Sequence, residues 1–145
     1  MFLDLDNFKP FNDIQGDVSA DLLLIEVARR LESCLCKMDT VARFGDDEFV
    51  LMLPEINEDQ SIAQAQTKIV AEKIRAILSK PYLLQIANNG EAESLVEHHC
   101  TASIGTILFT GHDASQDDIM KWADTGMYAA QDAGHNQIRF YGEKS

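Results

Sequence analysis

The 145-residue chain lacks a long apolar run, a cationic surplus and an even set of cysteines. Each lack removes a class of protein. With no apolar stretch of spanning length and no basic, apolar, small-residue leader, direct membrane insertion of this segment is not expected, and the cytoplasm is the expected compartment. Only 12 Lys and Arg stand against 24 Asp and Glu, a formal net charge of −12. Such a surface argues against nucleic acid held on a broad basic face. Any phosphate ligand has to be held locally, by a carboxylate-bound cation and backbone N–H groups. Three cysteines, Cys34, Cys36 and Cys100, are an odd number without a secretory mark, so free thiols are expected rather than a disulfide framework. No repeat, low-complexity tract or linker interrupts the chain. The expectation is one domain over residues 1–145, with one core and both ends truncated.

What is present reads as alternating strands and helices. The opening Met1-Phe2-Leu3-Asp4-Leu5-Asp6 is strand-like. Residues 21–36 carry a helical apolar stripe at Leu24, Ala28, Leu31 and Leu35, with Ser19 or Asp21 as N-cap. Two strand-like runs, 40–44 and 48–53, flank Gly45-Asp46-Asp47 as a β-hairpin closed by Pro54. The longest helix is expected over 57–78, with Ile62, Ala65, Ile69, the Lys73 stem and Ile77 on one face. Residues 82–86 and 95–109 are strand-like around the turn-rich Asn88-Asn89-Gly90, and residues 88–94 form a candidate mobile tip. Ser115 caps a helix running to Gly134, and residues 137–141 supply a last strand. The order predicts an α+β fold: a central, mostly antiparallel sheet with helices packed on both faces, a ferredoxin-like βαββαβ palm plus an extra hairpin.

Two acidic elements carry the chemistry. Alternation along a strand places Asp4 and Asp6 on one face, and a short hairpin turn is able to hold Asp47 opposite them. Hard carboxylate oxygens in that arrangement suit Mg²⁺ or Mn²⁺ acting on phosphates, whereas an isolated acidic triplet is usually a solvated loop. The two readings separate on context. The run Asp4-Leu5-Asp6-Asn7-Phe8-Lys9-Pro10-Phe11-Asn12-Asp13, followed by Arg43-Phe44-Gly45-Asp46-Asp47-Glu48-Phe49, resembles the GGDEF family of diguanylate cyclases. Thr101-Ala102-Ser103-Ile104-Gly105 is similar to the family's central strand. Ala123-Asp124-Thr125-Gly126-Met127-Tyr128 with Ala133-Gly134-His135-Asn136 resembles its final helix and turn.

The resemblance implies condensation of two GTP molecules to cyclic di-GMP, each held by one domain of a homodimer. It places Asp4, Asp47, Glu48 and the carbonyl of Leu5 around Mg²⁺ or Mn²⁺, with Asp47 and Glu48 also catalytic. Glu48 takes the role of activating the attacking 3′-hydroxyl. Asn12 and Asp21 stand where the family reads the guanine edge, and Lys9, Gly45, Asp46, Gln131 and His135 stand beside the nucleotide.

Departures from the pattern imply reduced or lost activity. Asp46 replaces the motif's second glycine, adding a side chain and a charge; a like-charge pair at about 5 Å and an effective dielectric near 20 costs on the order of 3 kcal/mol. Gln131 and His135 stand where the family offers Lys and Arg to phosphates. Gly16-Asp17 and Ala20-Asp21 replace its Gly-His and Gly-Asp pairs. Cys36-Lys37-Met38-Asp39 lacks the arginine of the family's inhibitory product site. The alternative is a non-catalytic GTP-binding or dimerising module regulating a linked EAL phosphodiesterase domain, with a sensory domain on the N-terminal side; the tail Gln137-Ile138-Arg139-Phe140-Tyr141 resembles the junction that precedes EAL domains. Cys34, Cys36, His98, His99 and Cys100 read as packing and surface residues rather than a zinc set, and Trp122, Met127 and Tyr128 as core.

Overall fold

The computed structural model describes residues 1–87, 90, 92–111 and 114–143. Asn88 and Asn89 of the expected turn, and Glu91 of the expected tip, lie outside them. Eleven elements follow in order: β1 (Phe2–Leu5), α1 (Phe8–Gln15), α2 (Asp17–Cys34), β2 (Thr40–Arg43), β3 (Glu48–Met52), α3 (Gln60–Leu78), β4 (Tyr82–Ile86), β5 (Ser94–His98), β6 (Ala102–Thr106), α4 (Gln116–Asp132) and β7 (Ile138–Phe140). Five strands form the main sheet in the order β2-β3-β1-β6-β7, and β4 and β5 make a separate two-stranded ladder. Every pairing is antiparallel except β6 with β7, which α4 joins as a crossover. The sheet is the α+β palm the sequence predicted, with the extra hairpin set apart.

Alternation on β1 divides the interior. Leu3 and Leu5 are buried on the face covered by α2 and α3, together with Leu23, Leu31, Ile74, Leu78 and Tyr82. Phe2 points to the other face, where it meets Ala123 and Met127 of α4. Asp4, two residues on, shares that second face. The seating of α4 depends on two glycines. A Cβ on Gly105 would lie 1.9 Å from the Ala123 carbonyl oxygen, and one on Gly126 would lie 3.2 Å from the Gly105 Cα. Without side chains there, the helix backbone rests directly on β6, which fixes the height of its exposed residues over the end of β1.

Four expectations need correction. Residues 8–15 form a helix that the sequence pattern did not show, and α2 starts at Asp17, not near Asp21. The buried face of α3 is Ala63, Thr67, Ala71, Ile74 and Leu78, whereas Ile62 and Ile69 are 48% and 70% exposed. The run 95–109 breaks between β5 and β6. Of the three residues expected in the core of α4, only Met127 is fully buried; Trp122 stacks on Tyr141 at the surface, and Tyr128 is 55% exposed.

Candidate functional site

The register of β1 against β3 sets Asp4 across from Glu48, and the Leu5 N–H donates to the Asp47 carbonyl at 3.0 Å. The opening strand and the hairpin turn therefore lock together at the point where both carry acids. The turn has its own clamp: Arg43 Nε donates to the Gly45 carbonyl and Nη2 to the Asp46 carbonyl, both at 2.9 Å, while the N–H groups of Phe44 and Gly45 both reach the Glu48 carbonyl. The space beside Gly45 is taken by the flexible end of the Glu48 side chain. A Cβ there would stand 2.7 Å from Glu48 Oε2, so the Glu48 carboxylate folds over the space a side chain would fill.

The electrostatics of this corner are those of uncompensated negative charge. Burial first, and then the charges of Asp47, Glu48 and Asp6, together push the Asp4 carboxyl up to about 7. Asp47 is raised by burial, with its own backbone N–H, Asp4 and Arg43 opposing the shift. The two carboxyls lie close enough for a hydrogen bond between them to favour a proton on Asp4 and disfavour one on Asp47. Burial, then Asp47, Asp124 and Asp46, raise Glu48. None of the ion pairs among the described residues involves Asp4, Asp47 or Glu48.

A proton is one way to relieve such crowding, and a cation is the other. The available donors, two adjacent carboxylates and the neighbouring Leu5 carbonyl, are all hard oxygens, which suits a small divalent ion. Among the described residues no three Asp, Glu, His or Cys side chains already stand as a closed cage. Glu48 completes the set only by swinging away from Gly45.

The family model for the diguanylate cyclase GGDEF domain matches residues 1–137. The chain belongs to this family. MucR of Pseudomonas aeruginosa, a bifunctional diguanylate cyclase/cyclic di-GMP phosphodiesterase, is 40% identical over 141 residues, covering 97% of this chain and 18% of MucR. The cyclic di-GMP phosphodiesterase PdeR of Escherichia coli K12 is 34% identical over 138 residues, 95% of this chain and 19% of PdeR. The chain thus spans about a fifth of the length of these relatives. Among solved structures, an EAL/GGDEF domain protein from M. capsulatus superposes with a TM-score of 0.77 at 30% identity, covering 98% of this chain and 83% of that one.

Within this GGDEF domain, the remaining residues singled out from the sequence fall into two groups around the acidic corner. Lys9 and Asn12 lie on α1 and Asp21 on α2, two helices joined at Gly16, whose φ of 83° suits glycine. Lys9 and Asp21 are exposed. Asn12 Oδ1 is buried and accepts no hydrogen bond among the described residues. On the other side, Gln131 occupies the last turn of α4, and its carbonyl accepts from Gly134 N–H and His135 N–H. His135 follows in the left-handed region, at φ 64°.

Asp46 adds its charge to the corner, raising both Asp47 and Glu48. Its side chain is exposed and its backbone is not left-handed, so the position does not demand glycine conformationally.

Two contributors, Asp124 and Arg43, escaped the sequence reading, and Asp6, which the sequence placed on one face with Asp4, is engaged elsewhere. Asp124 on α4 lies close enough to raise Glu48; its place seven residues before Gln131, on the same helix face, was the available signal. Arg43 holds the turn carbonyls. Asp6 is 2% exposed and wholly engaged by other donors. The Cys36–Asp39 segment lines a separate hollow of about 450 Å³ with Glu32, Leu35, Thr40 and Val41, and shares no residue with the acidic corner. Asp39 Oδ2 there accepts from the Cys36 N–H. Among the described residues no helix is long and apolar enough to cross a membrane.

Proposed function

We propose that this domain binds GTP together with a divalent cation, Mg²⁺ or Mn²⁺, and that its condensation of two GTP to cyclic di-GMP is weakened by Asp46, Gln131 and His135. One observation carries the reading: the Asp4 and Asp47 carboxyls press together beside Glu48, and none of the ion pairs among the described residues involves them. Asp4, Asp47, Glu48 and the Leu5 carbonyl would hold the ion, which when bound offsets charge on phosphate oxygens. The orphaned Asn12 Oδ1 is an acceptor waiting for a donor, and the guanine edge with its adjacent N–H groups supplies one. Asp21 adds a second acceptor. Lys9, Gln131 and His135 approach the phosphates, and Gly45 and Asp46 bound the nucleotide on the hairpin side.

In the reaction, Glu48 takes the proton of the 3′-hydroxyl on one GTP. That oxygen bonds to the α-phosphorus of the GTP facing it, and pyrophosphate leaves. Its raised carboxyl makes Glu48 a stronger base than an ordinary glutamate. One domain presents one nucleotide, so turnover requires a homodimer with two sites opposed.

A second reading keeps GTP binding without turnover, as a regulatory module beside an EAL phosphodiesterase domain and behind a sensory domain in a longer cytoplasmic protein. The extra charge of Asp46 favours it, as do the phosphodiesterase name of PdeR and the EAL/GGDEF name of the M. capsulatus protein. Calorimetry tests the shared core of both. GTP with Mg²⁺ should give heat that Asp47→Ala abolishes; no heat at millimolar GTP in the unaltered protein rejects the proposal. Cyclic di-GMP output from the dimer then separates the two readings.

A further inference from the structure

Asp6 looks from the strand alternation like a third ligand beside Asp4. Its surroundings say otherwise. The carboxylate is 2% exposed; Oδ1 accepts from Ser103 Oγ at 2.7 Å, and Oδ2 accepts from Thr101 Oγ1 and from the Asn136 backbone N–H at 3.0 Å. Its own backbone N–H donates to the Thr101 carbonyl at 2.9 Å. Three donors converge on two buried oxygens, which leaves little capacity to meet an ion.

The Asn136 bond is the informative one. His135 and Asn136 are consecutive non-glycine residues in the left-handed region, at φ 64° and 50°. Such a pair persists only when its surroundings hold it. Here the holding is done from two sides. Asp6 takes the Asn136 N–H, and the Asn136 side-chain oxygen accepts from Arg75 Nη1 at 2.9 Å and, at 3.4 Å, from Ser79 Oγ on α3's C-cap. On the preceding side, His135 N–H reaches the carbonyls of Ala130 and Gln131.

We infer that Asp6 is a positioning residue: it fixes the turn of residues 134–136, and so aims His135 at the phosphate side of the site, while taking no part in holding the cation. The inference rests on the proposed GTP site for its functional consequence, but the turn geometry stands without it. The same network ties that turn to the C-terminal end of α3, so Arg75 and Asn136 set its orientation from behind.

The test compares the unaltered protein with Asp6→Asn, which keeps the side-chain shape but replaces one acceptor oxygen with an NH₂ facing hydrogen-bond donors. Three titrations are read: GTP, guanosine, and Mn²⁺ alone in the absence of nucleotide. NMR of the His135 ring is recorded in the nucleotide-free protein. Asp6→Asn should weaken GTP about tenfold, change guanosine and Mn²⁺ less than twofold, and shift the His135 ring resonances. A general loss of structure would weaken all three ligands together. Asp6→Ala, which removes both acceptor oxygens without setting a new donor against the facing donors, should likewise weaken GTP selectively and shift or broaden the His135 resonances. It carries the test if Asp6→Asn does not fold.

A Mn²⁺ affinity lowered tenfold or more in a folded Asp6→Asn protein would make Asp6 a ligand and overturn the inference. So would GTP affinity and His135 resonances that match the unaltered protein in every folded variant. If the unaltered protein binds no GTP, the functional proposal falls alone. The His135 resonances then decide the positioning role, and unchanged resonances reject it.

Discussion

Two charged regions of this domain solve opposite problems. Arg30, on α2, is a cation taken largely out of water: Nη1 donates to the carbonyls of Ile77 and Lys80, Nη2 to that of Pro81, Nε to Glu26, and the guanidinium lies 3.7 Å from the centroid of the Tyr82 ring. Those carbonyls end α3 and lead into β4; Ile77 also accepts from the Lys80 N–H at 3.3 Å, while Lys80 and Pro81 lie beyond the helix end. The acidic corner has the reverse character. Asp4 and Asp47 are crowded against like charges, and among the described residues no ion pair involves them. One region is complete as it folds, and the other is complete only with something added. That contrast separates charge that builds the fold from charge that serves a ligand.

The largest expected effect breaks the completed region. Arg30→Met keeps most of the apolar stem but takes the guanidinium from three carbonyls, of which Ile77 alone retains a backbone N–H, and removes the contact with the Tyr82 ring. We expect a loss of about 2–4 kcal/mol in urea unfolding. Arg30→Lys should recover less than half of that, because one ammonium cannot serve three carbonyls in a fixed plane. A loss below about 0.5 kcal/mol for Arg30→Met would show that water replaces the guanidinium freely and that the comparison with the acidic corner is false.

The next effect has the opposite sign. Asp4 has its folded carboxyl raised from 3.8 to about 7, so the folded chain binds a proton more tightly than the unfolded chain. Stability is therefore full below about pH 4 and declines as the pH rises through 7. Asp4→Asn removes the penalty. In metal-free buffer at pH 8 it should stabilise the domain by about 1–2 kcal/mol, a value discounted for the group's partial exposure. The gain should shrink at pH 5 and vanish near pH 4. Millimolar Mg²⁺ should restore stability to the unaltered protein at pH 8 while leaving Asp4→Asn unmoved. A destabilised Asp4→Asn at pH 8 would mean that the carboxyl is satisfied within the protein.

These regions were unequally visible in the sequence, for identifiable reasons. The opening strand, the hairpin, the Ser115 cap and the last strand were legible because alternation, turn residues and capping are local signals. The helix α1 was not. It is eight residues long, its N-cap Asn7 makes no side-chain capping bond, and Pro10 sits in its first turn, where proline is tolerated but reads as a breaker. The face of α3 was read one residue, about 100°, out of phase because its buried stripe is made of Ala63, Thr67 and Ala71 while larger Ile62 and Ile69 face solvent. The pairing of Asp4 with Asp47 was within reach of strand logic. The engagement of Asp6 was not, since its side-chain donors Thr101 and Ser103 and the Asn136 N–H arrive from two distant segments brought together only by the sheet.

The smallest effect concerns Asp46, where the structure revises the cost suggested by the motif. An intimate like-charge pair at about 5 Å would cost on the order of 3 kcal/mol, or about a hundredfold in affinity. Asp46, however, is exposed, has no left-handed backbone to strain, and has its carbonyl engaged by Arg43. Solvent screening between exposed charges reduces the penalty to about 0.5–1 kcal/mol. Asp46→Gly alone should therefore tighten GTP only about threefold in low salt, with the gain fading at 0.5 M salt. Adding Gln131→Lys and His135→Arg contributes charged phosphate donors and should raise cyclic di-GMP output further in the dimer. A hundredfold gain from Asp46→Gly alone would show that this side chain turns inward onto the nucleotide and belongs to the acidic corner. A triple variant that folds and binds GTP but yields no more product would move the block on turnover elsewhere, to the guanine side around Asp17 and Ala20 or to the opposition of the two domains.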